Sequence, residues 1–599
     1  MIYHCEDHTC NYWDEGEKLP ERCPQCGRKL LRANEADMTG DDWTALGNTL
    51  WDAEASDKKR MVDCFRKAAY LGSAWGVCNL GICMEQGNGV EADPVQAFWL
   101  YQQAVEMGSL NAVCCLGVCY QYGIGTAPDA KQAAELYCKA AEYGSPRGQM
   151  LLARAFHDGI GVEADAAEAV HWVRAAAYQR YGEGMYRLGV CYEYGDGVEQ
   201  NWEHAVHWFR EAAESGVSAA MTDLGYCYEK GCGVEQSWEQ AFSWYRRGAE
   251  CGYPVSMSNL GLCYKRGYGV EQNWQEAIKW YEQGAQCGDL QSMHNLACCY
   301  ERGEGVEQNE ERALYWYRRS AEGGNGDAMC NLGRCYERGY GVEQNWQEAV
   351  KWYEQGAQCG NLQSMHNLAC CYEHGEGVEQ NMTEAIRWYT AAAEGGNADD
   401  MYELGWQYDH GEGVEQDMKK AICWYERAAE QNHPAAMNSL GECYAMGRGV
   451  PRDLETAMEW YRRAAELGEA MADYNMGWHL EQAGKLSEAY AHYRKAADGN
   501  DDSAWWALGR FYENGVVVAQ DGKEARRCYE TGEKLGSVKC KMRLARCKLL
   551  GIGGRRAKKA GLDLCRQALE LAKESSEKED YGYEAEMNLL RRTIAENES

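Results

Sequence analysis

The chain has 599 residues and a formal net charge of −32 at pH 7. This length exceeds what one globular core usually holds, so the chain forms either several domains or one extended array. The negative charge opposes general binding to phosphate backbones and anionic lipid surfaces, and we therefore expect no nucleic-acid and no membrane partner. Because the sequence has neither an apolar run of membrane-helix length nor a start typical of a signal peptide, we expect a cytoplasmic location.

The first segment of the chain, residues 1–32, differs from the rest by its cysteine spacing. It contains two cysteine pairs separated by twelve residues, which is typical of a small zinc site. The predicted ligands of a structural Zn are Cys5, Cys10, Cys23 and Cys26. The segment resembles a rubredoxin-like zinc ribbon, although four residues separate the first pair and His8 is a possible substitute ligand. A segment without metal or structure is the alternative.

Most of the chain is a repeat array. The stretch Cys263–Asn309 recurs 72 residues later as Cys335–Asn381 and differs at only four positions. These differences are Lys265/Glu337, Ile278/Val350, Asp289/Asn361 and Arg302/His374. Within each copy the pattern CYxxGxGVEQN occurs twice, 36 residues apart, so the sequence predicts an array of 36-residue repeats.

A leucine or methionine at a fixed place sets the register of about fifteen repeats. These register residues are Leu46, Leu80, Leu116, Leu152, Leu188, Leu224, Leu260, Leu296, Leu332, Leu368, Leu404, Leu440, Met476, Leu508 and Leu544. Each repeat has two periodic segments, which predict a helical hairpin of helix A and helix B. In the clearest repeat, helix A is predicted from Ser218 to Lys230, ending at the glycines Gly231 and Gly233.

Helix B is predicted to begin after a capping residue. The candidate N-caps are Ser237, Asn273, Asn309, Asn345 and Asn381. Glu276, Glu348 and Glu384 follow three residues after such caps, and this spacing predicts a capping box. Stacked hairpins of this kind form a solenoid.

The pattern LGxCYExGxGVEQN followed by AxxWYxxAAExG resembles the Sel-1-like repeats, which are relatives of the tetratricopeptide repeats. The resemblance covers nearly all of residues 40–570. It implies an all-α fold, a right-handed superhelix of about 15 hairpins, and a non-enzymatic adaptor that binds other proteins.

The array is predicted to change towards its carboxyl end. Residues 38–475 carry the regular repeats, and residues 476–570 are divergent or tetratricopeptide-like, because the spacing after Met476 falls to 32. Residues 571–599 are predicted to cap the last repeat, with a final amphipathic helix over Tyr583–Ala595.

Two columns of residues are predicted to form the core between repeats. The tryptophan column is Trp172, Trp208, Trp244, Trp280, Trp316, Trp352, Trp388, Trp424 and Trp460. The cysteine column is Cys83, Cys119, Cys191, Cys227, Cys263, Cys299, Cys335, Cys371 and Cys443. We expect the cysteines to be reduced and to pack as small hydrophobic residues.

Helix A also carries a polar row and a basic row on one face. The members of the predicted peptide groove are Asn259, Asn295, Asn331, Asn367, Arg266, Arg302, Arg338 and His374. The resemblance places helix A on the concave side, where Asn suits an extended peptide backbone and Arg suits a carboxylate. The structural alternative is that each Asn bonds a neighbouring helix and each Arg pairs with a nearby Glu.

No catalytic motif has the context that it needs, because the GxGV glycines recur in nearly every repeat and follow a helix. The leading hypothesis is a scaffold that binds partner proteins or extended peptides. A secreted cysteine-rich repeat protein acting on cell-wall fragments is the first alternative, and a free-thiol count distinguishes the two. A nucleic-acid adaptor acting through the ribbon is the second, and a salt-dependent gel shift tests it.

Overall fold

A computed structural model describes residues 2–5, 13–15, 30–33, 35, 38–51, 55–578 and 583–598. The first three segments are the strands β1 (Ile2–Cys5), β2 (Trp13–Glu15) and β3 (Leu30–Ala33). They pair antiparallel in the order β2-β1-β3. Cys5 ends β1, whereas the other three predicted zinc ligands and His8 lie outside the described residues. The zinc site therefore stays a prediction.

The chain forms two compact parts, the amino-terminal part (residues 1–309) and the carboxyl-terminal part (residues 310–599). The helices of the amino-terminal part are α1 (Gly40–Thr49), α2 (Ala55–Tyr70), α3 (Ala74–Gln86), α4 (Pro94–Glu106), α5 (Leu110–Tyr122), α6 (Ala130–Glu142), α7 (Pro146–Asp158), α8 (Ala166–Tyr178), α9 (Gly182–Tyr194), α10 (Trp202–Glu214), α11 (Ser218–Lys230), α12 (Trp238–Glu250), α13 (Pro254–Arg266), α14 (Trp274–Gln286) and α15 (Leu290–Arg302).

The helices of the carboxyl-terminal part are α16 (Glu310–Glu322), α17 (Gly326–Arg338), α18 (Trp346–Gln358), α19 (Leu362–His374), α20 (Met382–Glu394), α21 (Ala398–His410), α22 (Met418–Glu430), α23 (Pro434–Met446), α24 (Leu454–Glu466), α25 (Ala470–Gln482), α26 (Leu486–Asp498), α27 (Asp502–Asn514), α28 (Gly522–Lys534), α29 (Val538–Leu550), α30 (Lys558–Lys578) and α31 (Glu584–Glu598). Up to α30, odd-numbered helices are A helices and even-numbered helices are B helices.

The predicted bounds of α11 are confirmed, and four predicted N-caps are confirmed, namely Ser237, Asn273, Asn345 and Asn381. Helix α11 spans Ser218–Lys230 and ends at Gly231, whose φ of 75° is the left-handed conformation that ends a helix. Helix α14 begins after Asn273, whose side chain accepts hydrogen bonds from the first turn. The capping boxes predicted for Glu276, Glu348 and Glu384 are all wrong, because the N–H of each cap residue donates to a tyrosine carbonyl of the preceding A helix. The Asn273 N–H donates to the Tyr264 carbonyl of α13, so Glu276 has no N-cap donor to accept from and pairs with Lys279.

The A helices of successive repeats contact each other more closely than the B helices of successive repeats do. In the amino-terminal part α3 contacts α5 and α11 contacts α13, and in the carboxyl-terminal part α17 contacts α19 and α27 contacts α29. Successive B helices contact each other less within either part. Within each part, the A helices therefore line the more tightly curved side of the array.

The most buried large side chains are a column of aromatic rings that directly follows the tryptophan column. Its fully buried tyrosines include Tyr101, Tyr137, Tyr245, Tyr281, Tyr317, Tyr353, Tyr389, Tyr425, Tyr461, Tyr493 and Tyr529. The Tyr245 ring lies against Gly225 of the paired A helix, where a Cβ atom would come within 2.6 Å of the ring. Its hydroxyl donates to Glu229 at 2.9 Å. This contact explains the glycine that follows the register leucine.

The tryptophan column packs against this core but is more exposed than expected. Trp244 is buried, and the other eight predicted members are half-buried. Arg247 stacks over Trp244 at 4.2 Å from the ring centroid, and Arg427 stacks over Trp424 at 4.3 Å. Because the solvent-facing side of these rings receives a cation, the column supplies both core and surface contacts.

The cysteine column behaves as predicted in its packing. Eight of its nine members are buried and Cys191 is half-buried, and no cysteine whose side chain the structure describes is in a disulfide. Burial raises the pKa of Cys227 and of Cys263 to about 12. These thiols are therefore protonated at neutral pH and act as small core residues.

The last helix, α31, packs against the final hairpin of the array. Met587 and Leu590 pack against the buried side chains of α29 and α30. Arg543 of α29 forms two hydrogen bonds with Glu586 at 2.6 and 2.7 Å. The predicted capping segment, residues 571–599, contains the end of α30 and all of α31.

Candidate functional site

The A-helix face carries the two predicted rows at fixed positions. If the register leucine is position 0, the Asn row is position −1 and the basic row is position +6. Seven residues make about two helical turns, so the two rows share one face about 10 Å apart.

The Asn row forms a ladder of hydrogen bonds between successive A helices. The side-chain amide of Asn295 donates to the Ser258 hydroxyl at 3.5 Å, and that of Asn367 donates to the Cys330 sulfur at 3.5 Å. Asn475, a later member, donates to Asn438 at 3.0 Å. In each case the acceptor lies at position −2 of the preceding A helix. These contacts agree with the structural alternative for the row. Asn259 and Asn331 are half-buried at the same position.

The basic row is exposed at the carboxyl ends of the A helices. Arg338 lies 3.8 Å from Glu337, and Arg302 lies 4.0 Å from Glu304, with both guanidinium groups largely in solvent. His374 bonds the Cys370 carbonyl at 3.0 Å, and Arg266 is exposed. Exposed pairs of this kind contribute little to stability, so these side chains are available to a ligand.

A cavity of about 770 Å³ lies on this same face, between α7 and α9 and over α8. Positions −1 and +6 both line it, through Leu151 and Arg187 at −1 and Asp158 and Tyr194 at +6. The cavity is open to solvent, because Arg187 and Tyr194 on its rim are exposed. Its volume lies within the range of sites that bury a small ligand or several side chains.

Two departures from the repeat pattern explain the cavity. Val173 stands in the aromatic column where the neighbouring repeats have Tyr137 and Phe209, so a ring is missing from the floor. The Asn ladder is also interrupted, because Arg187 and Met150 occupy the positions of its donor and acceptor.

The cavity combines an apolar floor with a charged rim. Val170 and Val173 are buried in the floor. On the rim, His157 lies 2.6 Å from Asp158 and 3.3 Å from Asp196. The hydrogen bond with Asp158 raises the pKa of His157 above its usual value. Arg187 has no ion-pair partner among the described residues, so it is free to bind an anionic group.

Sequence reasoning missed this cavity, although its signal was present. The break in the aromatic column at Val173 is visible at the 36-residue spacing. Within the residues that the structure describes, no cluster of three or more His, Cys, Asp or Glu side chains could hold a metal ion.

The fold and this face define a solenoid of helical hairpins related to the tetratricopeptide type. The Sel1 repeat model matches the chain thirteen times, so the chain belongs to the Sel1 repeat family. The matched residues are 76–109, 112–145, 146–181, 182–217, 218–253, 254–289, 290–325, 326–361, 362–397, 398–433, 434–469, 470–501 and 504–537. The shortened repeat after Met476 is thus a member of the same family.

Solved structures of bacterial proteins resemble the chain. A protective antigen present in uropathogenic Escherichia coli strains, displaying an SLR fold, has 32% sequence identity and a TM-score of 0.49. The match covers 75% of this chain and 97% of the antigen. A Sel1 repeat protein from Oxalobacter formigenes has 33% identity over 41% of this chain and 96% of its own, with a TM-score of 0.38. No curated protein sequence matches significantly.

None of the described helices is both long enough and apolar enough to span a membrane.

Proposed function

We propose that the protein is a non-enzymatic scaffold whose A-helix face binds a partner protein or an extended peptide. The observation that carries the proposal is the cavity between α7 and α9. It lies at the two positions that carry the Asn row and the basic row in the repeats from Leu260 to Leu368. A partner side chain inserted there would meet an apolar floor and a charged rim, which is the arrangement that anchors a bound peptide.

The charges on this face favour an acidic or carboxyl-terminal segment of the partner. Arg187 lies at the cavity rim, and Arg266 is exposed at position +6 of a later A helix of the same part. Guanidinium groups bind carboxylates in a fork geometry. The net charge of −32 elsewhere repels acidic ligands, so the basic side chains on this face would select where such a segment binds.

The test is affinity capture from the native host lysate with the intact protein and a variant whose cavity is filled. Val173→Tyr places the ring of the other repeats in the cavity without changing a charge. Phe209→Tyr is the matched control, because it introduces a tyrosine at the equivalent position of the next hairpin, and Phe209 does not line the cavity. We expect a partner that the intact protein and Phe209→Tyr capture and that Val173→Tyr loses, with circular dichroism unchanged.

A second variant tests the two rows separately from the cavity. It combines Asn295→Ala and Arg302→Ala in the amino-terminal part with Asn331→Ala and Arg338→Ala in the carboxyl-terminal part. Loss of the partner in the folded variant would extend the binding surface along the rows. If the intact protein captures no partner above background, the scaffold function is contradicted.

The zinc site and the location belong to the same proposal. Structural Zn is proposed at Cys5, Cys10, Cys23 and Cys26, with His8 as the possible substitute. Metal analysis should then find one zinc per chain, which the double change Cys23→Ser and Cys26→Ser removes. A cytoplasmic location predicts that the protein fractionates with the cytosol and that nearly all 30 thiols titrate after zinc removal.

A further inference from the structure

Three side chains in the carboxyl-terminal part form a chain of polar contacts that the proposed function does not use. His366 and Cys370 lie one turn apart on α19, with the imidazole Nε2 3.6 Å from the Cys370 sulfur. The opposite ring nitrogen, Nδ1, lies 2.7 Å from a carboxylate oxygen of Asp400 on α21. A thiol, an imidazole and a carboxylate in this order are the components of an activated nucleophile.

The carboxylate determines the state of the imidazole. Asp400 is fully buried, and one of its oxygens has no hydrogen-bond partner among the described residues. A buried carboxylate needs a counter-charge, and His366 is the cation that contacts it. The hydrogen bond with Asp400, assisted by that with Cys370, raises the pKa of His366 to about 10. The imidazolium then directs an N–H at the Cys370 sulfur, which favours the thiolate.

We propose that Cys370 is an activated thiol, held by His366 and Asp400, which forms mixed disulfides reversibly with small disulfide compounds.

The site is accessible to a small reagent. Cys370 is half-buried, and the side chain of His366 is 30% exposed. Two acidic residues and a phenol also face the pair. Tyr389 of α20 lies 3.3 Å from the sulfur while its hydroxyl donates to Glu373, and Glu403 comes from α21. The two glutamates oppose a thiolate, so the imidazolium is the group that stabilises it.

The duplicated stretch provides an internal control. His294 and Cys298 of α15 repeat the same pair, again with 3.6 Å between Nε2 and the sulfur. The residue 34 positions after His294 is Ala328, whereas the residue 34 positions after His366 is Asp400. The Nδ1 atom of His294 instead faces the amide of Gln291 at 3.3 Å. Cys298 therefore reports how the same histidine and cysteine pair reacts when the position of Asp400 carries no carboxylate.

The reaction conserves atoms and electrons. The Cys370 thiolate attacks one sulfur of the disulfide, a new S–S bond forms and the old one breaks. The leaving thiolate takes a proton from the His366 imidazolium or from water. Excess thiol reverses the step by the same route.

The experiment exposes the intact, reduced protein to 2-hydroxyethyl disulfide at pH 7 and measures the rate at each cysteine by peptide mass spectrometry. This reagent is uncharged, so the acidity of the chain does not affect its approach. We expect Cys370 to react at least about tenfold faster than Cys298 and than the exposed Cys359.

Variants assign the effect to the carboxylate. Asp400→Asn keeps the shape and removes the charge, and it should lower the Cys370 rate to within about twofold of that of Cys298. Asp399→Asn, at the exposed neighbouring position, should leave the rate unchanged. Equal rates at Cys370 and Cys298 in the unchanged protein would overturn the proposal. So would an Asp400→Asn protein of native circular dichroism in which Cys370 still reacts at the original rate.

Discussion

The two near-identical stretches Cys263–Asn309 and Cys335–Asn381 have the same helices but differ in their buried polar contacts. In the second stretch, the buried Tyr353 donates to Glu337 at 2.5 Å. In the first, Lys265 replaces that glutamate and pairs with Glu304 at 3.3 Å, and the buried Tyr281 hydroxyl has no hydrogen-bond partner in the described part of the chain. One of four substitutions therefore decides whether a core hydroxyl is satisfied.

The two stretches also differ in the hydrogen-bond partner of an equivalent histidine, and in the second stretch this partner lies outside the duplicated residues. His366 bonds Asp400, a residue of the following A helix, whereas His294 bonds Gln291 of its own helix. The Nδ1 atoms of the two equivalent histidines thus contact different groups, and the carboxylate that His366 contacts belongs to the next repeat. In a repeat array, an identical segment fixes the backbone, while the neighbouring repeat fixes the state of its polar side chains.

The largest expected effect comes from removing the buried tyrosine ring of each stretch, which is Tyr281 in the first and Tyr353 in the second. Tyr353→Val reproduces the substitution that Val173 represents and should lower the free energy of unfolding by about 3 kcal/mol. Tyr281→Val should cost about 1 kcal/mol less, because its hydroxyl makes no bond to a charged acceptor. Urea unfolding followed by circular dichroism measures both. Equal losses would show that the Tyr353–Glu337 bond contributes nothing.

The next effect is a pH dependence restricted to the second stretch. His366 has a pKa of about 10 in the folded chain, against the usual value of 6.5 for a solvated histidine. Its stabilisation is therefore complete below pH 6.5 and is lost as the pH rises towards 10. This difference in pKa corresponds to about 5 kcal/mol without screening, and solvent at the part-exposed imidazole lowers it to the order of 2 kcal/mol. Asp400 acts in the same direction at lower pH, because burial raises its pKa from 3.8 and its contribution to stability is also lost as the pH rises through its folded pKa. Urea midpoints from pH 6 to 10 should fall more steeply for the intact protein than for Asp400→Asn.

A smaller effect isolates the hydroxyl groups. Tyr353→Phe should destabilise the protein by about 1 kcal/mol, because it removes a hydrogen bond to a charged acceptor. Tyr281→Phe should be neutral or slightly stabilising, because it removes a buried hydroxyl without an acceptor. The same urea measurement compares them, and an equal loss in the two variants would contradict the assigned contacts.

The smallest effect comes from placing the residue of one stretch, Lys265 or Glu337, at the equivalent position of the other. Lys265→Glu should give Tyr281 its acceptor and raise the free energy of unfolding by about 0.5 kcal/mol. The gain is small because the change also removes the Lys265–Glu304 ion pair and the ammonium 5.3 Å from the Trp274 ring. Glu337→Lys is the reverse variant and should be destabilising. A gain in both variants would exclude the tyrosine contact as the cause.

The helices and their caps could be predicted because local rules repeat in every unit. The bounds of α11 and the Asn273 cap result from glycines and capping residues that act within a few positions. The absence of the reciprocal cap by Glu276 could not be predicted, because the Asn273 N–H donates instead to the Tyr264 carbonyl of another helix.

The core could be predicted only in part. Periodicity places adjacent aromatic residues on neighbouring parts of one helix face and does not say which lies deeper. The glycine after the register leucine indicates the deeper ring, because the Tyr245 ring packs against Gly225, where a Cβ atom would clash with it. The cavity and the Asp400 contact join residues of different repeats, so they require the register between repeats as well as the pattern within one.

The Asn ladder gives the array a direction. Where the ladder bond is described, the amide reaches 37 residues back, as in Asn295 to Ser258, Asn367 to Cys330 and Asn475 to Asn438, and the bond does not involve the repeat that follows. A duplicated repeat therefore carries the donor of its hydrogen bond to the preceding repeat, and that repeat has to supply only an acceptor side chain. Gene duplication can therefore lengthen such an array without changing the contacts between the repeats that already exist.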